Sequence, residues 1–312
     1  MEIKKFITKK DGKMLYDKSF VFYNRSDDVI INKPFNSGYY FERDLVMIAS
    51  QFLKPDDVVV DIGTNIGTVS IPLSKSVNKG TVYSFEINPP TINLLEQNIL
   101  ANKCKNIKIV NMAASHSNDV IYIQPEKKLP KYFNNGKGSN PGSVSTGKKV
   151  KGAIPVKSIT IDKFIRDRNI KKVNLIKIDV EGGEMLVFHG AMNTIKKFKP
   201  IIIFEKNQQE LENPTTEMEN IIQYYNCIFE DLYKLGYKYT VKVNKDNFMI
   251  LTDGHKIINK DNRIKFTTLI DYNKLISYNN FSKLCLDTLK KKYKVYNAII
   301  NFNIIRGSRK KI

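Results

Sequence analysis

The chain has 312 residues and a mass of 35.9 kDa, which is long enough for one or two domains with a large core. With 42% hydrophobic and 26% charged residues, it is neither intrinsically disordered nor fibrous. Its three cysteines lack the spacing of a disulfide scaffold or a zinc site, so we expect no metal. No apolar run could span a membrane and no signal peptide is apparent, so we expect a cytoplasmic protein, in the host cytoplasm if the source is viral.

The chain is strongly basic, with 51 Lys and Arg against 31 Asp and Glu and a formal net charge of +20. One interpretation is a polyanionic partner such as RNA. The other is AT-rich coding, as in large DNA viruses or low-GC microbes, because lysine far outnumbers arginine and tryptophan is absent. Nucleic-acid-binding proteins usually rely on arginine. A nucleic-acid partner is therefore left open but not favoured.

The pattern of apolar and turn residues divides the chain into regions. The predicted regions are an N-terminal strand and helix cap at 1–50, a main domain at 51–252 with a loop insertion at 124–152, and a basic C-terminal extension at 253–312. In the cap, the sequence predicts short strands at 20–23 and 29–31, followed by a helix at 42–53. The insertion is rich in Gly, Ser, Asn and Lys and is either functional or disordered.

The main domain alternates strands with helices. Its predicted strands lie at 58–60, 81–85, 107–110, 174–178 and 201–204, and its predicted helices at 66–77, 89–102, 184–197 and 217–235. This spacing predicts an α/β fold with a doubly wound, mostly parallel, Rossmann-like sheet. Two further strands at 237–243 and 248–252, joined by a short link, predict an antiparallel hairpin at its end.

The ends of the first two predicted strands carry a candidate ligand site. The first strand runs into a Gly-containing turn at 61–67 (Asp-Ile-Gly-Thr-Asn-Ile-Gly), which opens a helix and so presents backbone N–H groups. The turn lacks the G-x-G-x-x-G spacing of a pyrophosphate site. Asp61 ends the first strand and Glu86 ends the second, where a carboxylate can accept ribose hydroxyls. These features predict a cationic adenosyl ligand without phosphates, namely S-adenosylmethionine.

A second acidic element follows the fourth predicted strand. Residues 177–184 read Lys-Ile-Asp-Val-Glu-Gly-Gly-Glu. Ligands of open α/β sheets bind beyond the carboxyl ends of the strands, at the reversal of strand order, and Asp179 and Glu181 fall there. Asp179 either assists deprotonation of an acceptor or holds the amino group of the methionine moiety. The adjacent glycines allow a sharp turn beside a ligand.

Together these motifs resemble those of a known enzyme family. The matching segments are 61–67, Glu86, 178–182 (Ile-Asp-Val-Glu-Gly), 40–42 (Tyr-Phe-Glu) and 160–164 (Thr-Ile-Asp-Lys-Phe). They are similar to the FkbM-type family of class I S-adenosylmethionine-dependent methyltransferases, over about residues 38–206. The resemblance implies that 51–252 is the methyltransferase domain and that methyl transfer is usually to a hydroxyl oxygen, often on a sugar. The cofactor-binding residues implied by the motifs and the resemblance are Glu42, Asp61, Gly63, Thr64, Asn65, Gly67, Glu86, Ile87, Asn111, Ala113 and Asp179.

An aliphatic hydroxyl acceptor must lose its proton, and three carboxyl groups are the candidates to take it. They are Asp179, Glu181 and Glu205, and His116 is a weaker candidate because a lone histidine is more often structural. We therefore expect an O-methyltransferase that acts on a carbohydrate or another small molecule. Two alternatives stay open. They are an RNA methyltransferase that uses the basic surface and a cofactor-binding module without catalysis.

Overall fold

The computed structural model describes residues 3–7, 20–123, 146–147, 149, 151–205, 228, 231–243, 247–252, 254–255 and 269–271. Most of the loop insertion, of the helix predicted at 217–235 and of the C-terminal extension lies outside these residues. The helices are α1 (Val29–Asn36), α2 (Arg43–Ser50), α3 (Ser70–Ser76), α4 (Pro89–Ala101), α5 (Ile161–Asp167) and α6 (Glu184–Phe198). The strands are β1 (Ile3–Ile7), β2 (Val21–Arg25), β3 (Val58–Ile62), β4 (Thr81–Phe85), β5 (Ile107–Val110), β6 (Ala113–Ala114), β7 (Val120–Ile123), β8 (Thr146–Gly147), β9 (Ile154–Ile159), β10 (Leu175–Ile178), β11 (Ile201–Glu205), β12 (Tyr237–Lys242), β13 (Asn247–Thr252) and β14 (Leu269–Asp271).

A central sheet organises the molecule, with its strands in the order β14-β12-β13-β11-β10-β3-β4-β5. The five strands from β11 to β5 are parallel, whereas β13, β12 and β14 pair antiparallel. The predicted parallel sheet with an antiparallel terminal hairpin is thereby confirmed. The chain moves outward from β3 to β5 and returns on the other side with β10. This reversal of strand order opens a crevice beyond the carboxyl ends of β3 and β10.

Both faces of the sheet are buried, which explains why its central strands are continuous apolar runs. One face, including Val60 and Ile176, packs against α5 and α6. The other, including Val59 and Leu175, packs against α1, α2 and α3. Residues of the predicted N-terminal cap, such as Leu45, belong to this second core. The N-terminal segment therefore covers the sheet face beside the crevice.

The segment at 29–31 corrects one sequence prediction. It is the first turn of α1, not a strand. Asp28 caps the helix, because its Oδ1 accepts hydrogen bonds from the backbone N–H groups of Ile30 (3.1 Å) and Ile31 (3.0 Å). Burial of Ile31 and Phe35 then follows the helical period. Cap and packing together override the β-preference of a Val-Ile-Ile run.

A smaller sheet, in the order β6-β9-β7-β8, lies beside the central one and had no counterpart in the sequence prediction. Gly190 of α6 packs directly against the chain that follows β6, since a Cβ atom there would lie 2.0 Å from the carbonyl oxygen of Ser115. This contact fixes Ser115 beside the crevice. Within the described ranges, no helix combines the length and apolar character needed to cross a membrane.

Candidate active site

A cavity of about 430 Å³ lies at the carboxyl ends of β3, β4, β10 and β11. Its wall brings together most of the predicted site residues. Those that line it are Glu42, Gly63, Asn65, Glu86, Ile87, Ala113, Asp179, Glu181 and Glu205. The site thus combines residues that are more than 160 positions apart in the chain.

Four predicted residues do not line the cavity. Asp61 is fully buried beneath it, and the hydroxyl of Thr64 donates to the Asp61 carbonyl at 2.9 Å. Gly67 faces the side chains of Leu95 and Ile71. Asn111 is exposed, and the next residue in the chain, Met112, lines the cavity instead. Three of these four residues therefore shape the turn under the cavity floor.

The β3–β4 half of the cavity (Gly63, Asn65, Glu86 and Ile87) is built on backbone hydrogen bonds. The Glu86 carboxylate accepts from the N–H groups of Asn65 (2.9 Å), Ile87 (2.8 Å) and Asn88 (2.9 Å). Burial raises the pKa of Glu86, and the three N–H groups oppose that rise. A carboxylate has about four lone-pair sites, so one further donor can be accepted from the cavity.

Gly63 determines how closely the two halves of the cavity approach each other. Its φ is +78°, and a Cβ atom would lie 1.6 Å from the carbonyl oxygen of Asp179. The backbone N–H of Asp179 in turn donates a hydrogen bond to the carbonyl oxygen of Ile62 at 3.0 Å. Only glycine fits at position 63, because any side chain would collide with the backbone after β10.

The β10–β11 half (Lys177, Asp179, Glu181 and Glu205) is built on charged side chains. Lys177 is buried, and its Nζ lies 2.9 Å from Asp179 Oδ2, 3.8 Å from Glu42 Oε2 and 3.9 Å from Asp61 Oδ1. Burial lowers the pKa of Lys177, but the three carboxylates outweigh it and hold the pKa well above its ordinary value. The amine therefore stays protonated and neutralises part of the acidic cluster.

Glu42 enters the cavity from the turn before α2. Its φ is +60°, a left-handed conformation that is uncommon outside glycine, and its side chain is only 8% exposed. Burial raises its pKa to about 7, with Asp179 and Asp61 adding to the rise and Lys177 opposing it. The carboxyl group therefore changes its charge near neutral pH.

Asp179 and Glu205 stand at the ends of neighbouring strands, where Ile178 pairs with Phe204. Burial raises the pKa of Glu205 to about 10, and the charge of Asp179 and a hydrogen bond to it add to this rise. Glu181 is exposed at the cavity edge, with a φ of +55°. The carboxyl groups of Asp179 and Glu205 thus lie in one site but have different electrostatic surroundings.

Glu184 holds the turn that carries Asp179 and Glu181. Its Oε1 accepts hydrogen bonds from the N–H groups of Val180 (3.0 Å) and Gly182 (3.1 Å). Sequence reasoning identified Glu184 only as a helix start. His116 is exposed and does not line the cavity, which Ser115 reaches instead.

Comparison with known proteins agrees with this geometry. A family model described as the methyltransferase FkbM domain matches residues 61–239, more than half of the 312-residue chain. The chain belongs to the FkbM methyltransferase family. The family predicted from the motifs is thus confirmed, and the cofactor of this FkbM domain is S-adenosylmethionine.

Relatives of this FkbM domain include two curated enzymes. Hexuronic acid methyltransferase AglP of Haloferax volcanii is 28% identical over 162 residues, which cover 52% of this chain and 61% of AglP. The 2-O-methyltransferase NoeI of Sinorhizobium fredii is 26% identical over 178 residues, which cover 53% of this chain and 69% of NoeI. The crystal structure of methyltransferase FkbM from Methylobacillus flagellatus KT covers 64% of this chain and 44% of that chain, with 16% identity and a TM-score of 0.41.

The charges of the FkbM domain fit a cationic cofactor. Asp61 Oδ1 is buried and accepts no hydrogen bond from the described residues, although Lys177 Nζ lies 3.9 Å away. Lys177 is the one cation among the described cavity residues, against the carboxyl groups of Glu42, Glu86, Asp179, Glu181 and Glu205. An excess of carboxyl groups over cations favours a ligand with a sulfonium and an ammonium group.

Two residues of this site were given no place in it by sequence reasoning. Lys177 was given no role, although a lysine between two isoleucines in a buried strand is unusual enough to mark it. Asn247 of β13 lines the cavity opposite Glu205 in the sheet register. No sequence signal marks Asn247, because its place depends on the antiparallel pairing of distant strands.

Proposed function

We propose that this protein transfers a methyl group to a hydroxyl oxygen of a carbohydrate. The observation that carries the proposal is the position of Asp179. It lines the cavity and is ion-paired with Lys177 at 2.9 Å, and its own backbone carbonyl is the group that Gly63 closely approaches. A carboxylate placed there is suited to accept the proton of a hydroxyl bound in the cavity.

The chemistry requires a bound acceptor, a base and a methyl donor. S-adenosylmethionine supplies an electrophilic methyl group and a neutral thioether as the leaving group. With that donor bound, an acceptor oxygen would displace the thioether from the methyl group, and Asp179 would take the hydroxyl proton. Positioned general-base catalysis typically contributes about 10²- to 10⁴-fold, and orientation of the acceptor in the cavity contributes further.

The carbohydrate acceptor is supported by the two relatives, of which AglP is a hexuronic acid methyltransferase and NoeI a 2-O-methyltransferase. RNA is disfavoured by the cavity itself. Its described wall carries five carboxyl groups against one buried lysine, and even with Glu205 protonated this excess of carboxyl groups would repel a phosphate backbone. The alignments cover only part of each relative, so the acceptor of the whole protein rests on this proposal.

Methyl-labelled S-adenosylmethionine, offered with panels of hexosides, hexuronosides and RNA, tests the proposal. We expect label on a glycoside, and we expect Asp179→Asn to reduce transfer about 10²- to 10⁴-fold. Asp119→Asn, at an exposed position outside the cavity, is the matched control. Circular dichroism of each variant checks that it is folded.

Two results would contradict the proposal. Label found in RNA alone would assign the protein to the other acceptor class. Cofactor binding without transfer to any member of the panels would leave the FkbM domain as a binding module.

A further inference from the structure

The pairing of β10 with β11 brings two acidic residues, Asp179 and Glu205, close together. The two residues extend neighbouring strands one step past the paired Ile178 and Phe204, and both line the cavity. Two carboxylates so close together in a partly dry site repel each other strongly, and one of them then retains a proton. The question is which of the two keeps it.

The surroundings of the pair answer that question. Lys177 Nζ lies 2.9 Å from Asp179 Oδ2, and its other ion pairs among the described residues are with Glu42 and Asp61, not with Glu205. The charged groups that act on Glu205 are Asp179, Glu181 and Lys177, all within or directly after β10. Asn247 pairs with Glu205 in the sheet, and Glu42 lines the same cavity. The nearest cation therefore stabilises a negative charge on Asp179.

We infer that Glu205 is a positioning residue that keeps its proton and donates a hydrogen bond to Asp179, which leaves Asp179 as the base. The inference rests on the proposed function, in which Asp179 accepts the proton of the acceptor hydroxyl. A pKa of about 10 for Glu205, raised first by burial and then by Asp179, agrees with it.

The proton balance of the transfer follows from this division of roles. The acceptor oxygen forms a bond to the methyl carbon, the C–S bond breaks, and the hydroxyl proton passes to Asp179. Glu205 retains its own proton throughout. Its donated hydrogen bond fixes the orientation of the Asp179 carboxylate toward the acceptor. After the product leaves, Asp179 returns its proton to solvent.

The position of the proton can be measured with no acceptor present. The protein is labelled with ¹³C at the glutamate side-chain carboxyl carbon, and the Glu205 resonance is identified by its absence in Glu205→Gln. We expect the chemical shift of a protonated carboxyl group at neutral pH, with titration near pH 10. A resonance of an ionised carboxylate at neutral pH would overturn the inference.

The role of that proton is tested by two variants of one position. Glu205→Ala removes the hydrogen bond to a charged group, and we expect methyl transfer to fall about 10- to 100-fold. Glu205→Gln restores a neutral donor of the same shape, and we expect it to recover most of that loss. The wild-type rate should also fall as the pH approaches 10, whereas the Gln variant should lack that fall.

The two arms separate the inference from the proposed function. A Gln variant as slow as the Ala variant, with both still binding S-adenosylhomocysteine, would overturn the positioning role. Failure to methylate any glycoside, together with a protonated Glu205 resonance, would count against the proposed function alone.

Discussion

The two halves of the cavity are held together by different kinds of interaction. In the β3–β4 half, backbone hydrogen bonds dominate, and three backbone N–H groups hold the Glu86 carboxylate. In the β10–β11 half, side-chain charges dominate, and Lys177 stands among Asp179, Glu42 and Asp61. The donors of the first arrangement are backbone N–H groups, which do not change their charge near neutral pH. The second contains groups whose protonation can change during a reaction.

The largest expected effect that tests this difference between the two halves is a pH dependence of the free energy of unfolding, caused by Glu42. Its pKa is about 7 in the folded protein against an ordinary value of 4.5, so the folded state binds the proton more tightly. Stability from this group is full below pH 4.5 and is lost as the pH rises to about 7. The loss amounts to about 3 kcal/mol at 1.36 kcal/mol per unit.

Glu42→Gln should lack that loss. We therefore expect the stability of the variant relative to wild type to increase between pH 4.5 and 7 and to level off above. Loss of the contact with Lys177 shifts the stability of the variant by the same amount at every pH, so it does not change how the difference from wild type varies with pH. Denaturant unfolding at a series of pH values measures it, with Glu96→Gln on the exposed face of α4 as control. Parallel stability curves for wild type and Glu42→Gln would place the charge change elsewhere.

The next effect concerns the β3–β4 half. Glu86→Gln replaces one of two acceptor oxygens by an amide N–H₂ group, which cannot accept from the backbone. We expect the affinity for S-adenosylhomocysteine to fall about 10- to 100-fold, the effect of a lost hydrogen bond to a charged group. Calorimetry on this variant and on Glu96→Gln makes the comparison. Equal affinities would show that the carboxylate charge is not needed there.

The smallest effect tests whether backbone conformation, not side-chain chemistry, matters at Asn65. Its φ is +54° and its N–H group serves Glu86. Asn65→Ala should cost about 1 kcal/mol of stability, because alanine disfavours the left-handed region. Asn65→Gly adopts that region freely, so we expect it to avoid the loss. Chemical unfolding distinguishes the two. Equal losses in both variants would assign the role to the Asn side chain.

Local patterns in the sequence predicted the elements that position the site. The continuous β-branched run at 58–60 predicted β3, and the alternation of strands and helices predicted β10; both strands are buried on two faces. The acids that end strands, Glu86 and Asp179, were predicted in the site and line the cavity. The error at 29–31 came from weighing β-propensity above the N-cap at Asp28.

The sequence by itself determined the alternation of strands and helices, the family, and which acids follow the ends of parallel strands, because each of these depends on neighbouring residues. Only the tertiary structure decided which charges meet. Lys177 comes to lie among Glu42, Asp61 and Asp179 because β10 enters the sheet beside β3, and the turn before α2 brings Glu42 to the same place. A pKa depends on burial and on distances of a few ångströms. Such distances are fixed by packing between segments that lie far apart in the chain.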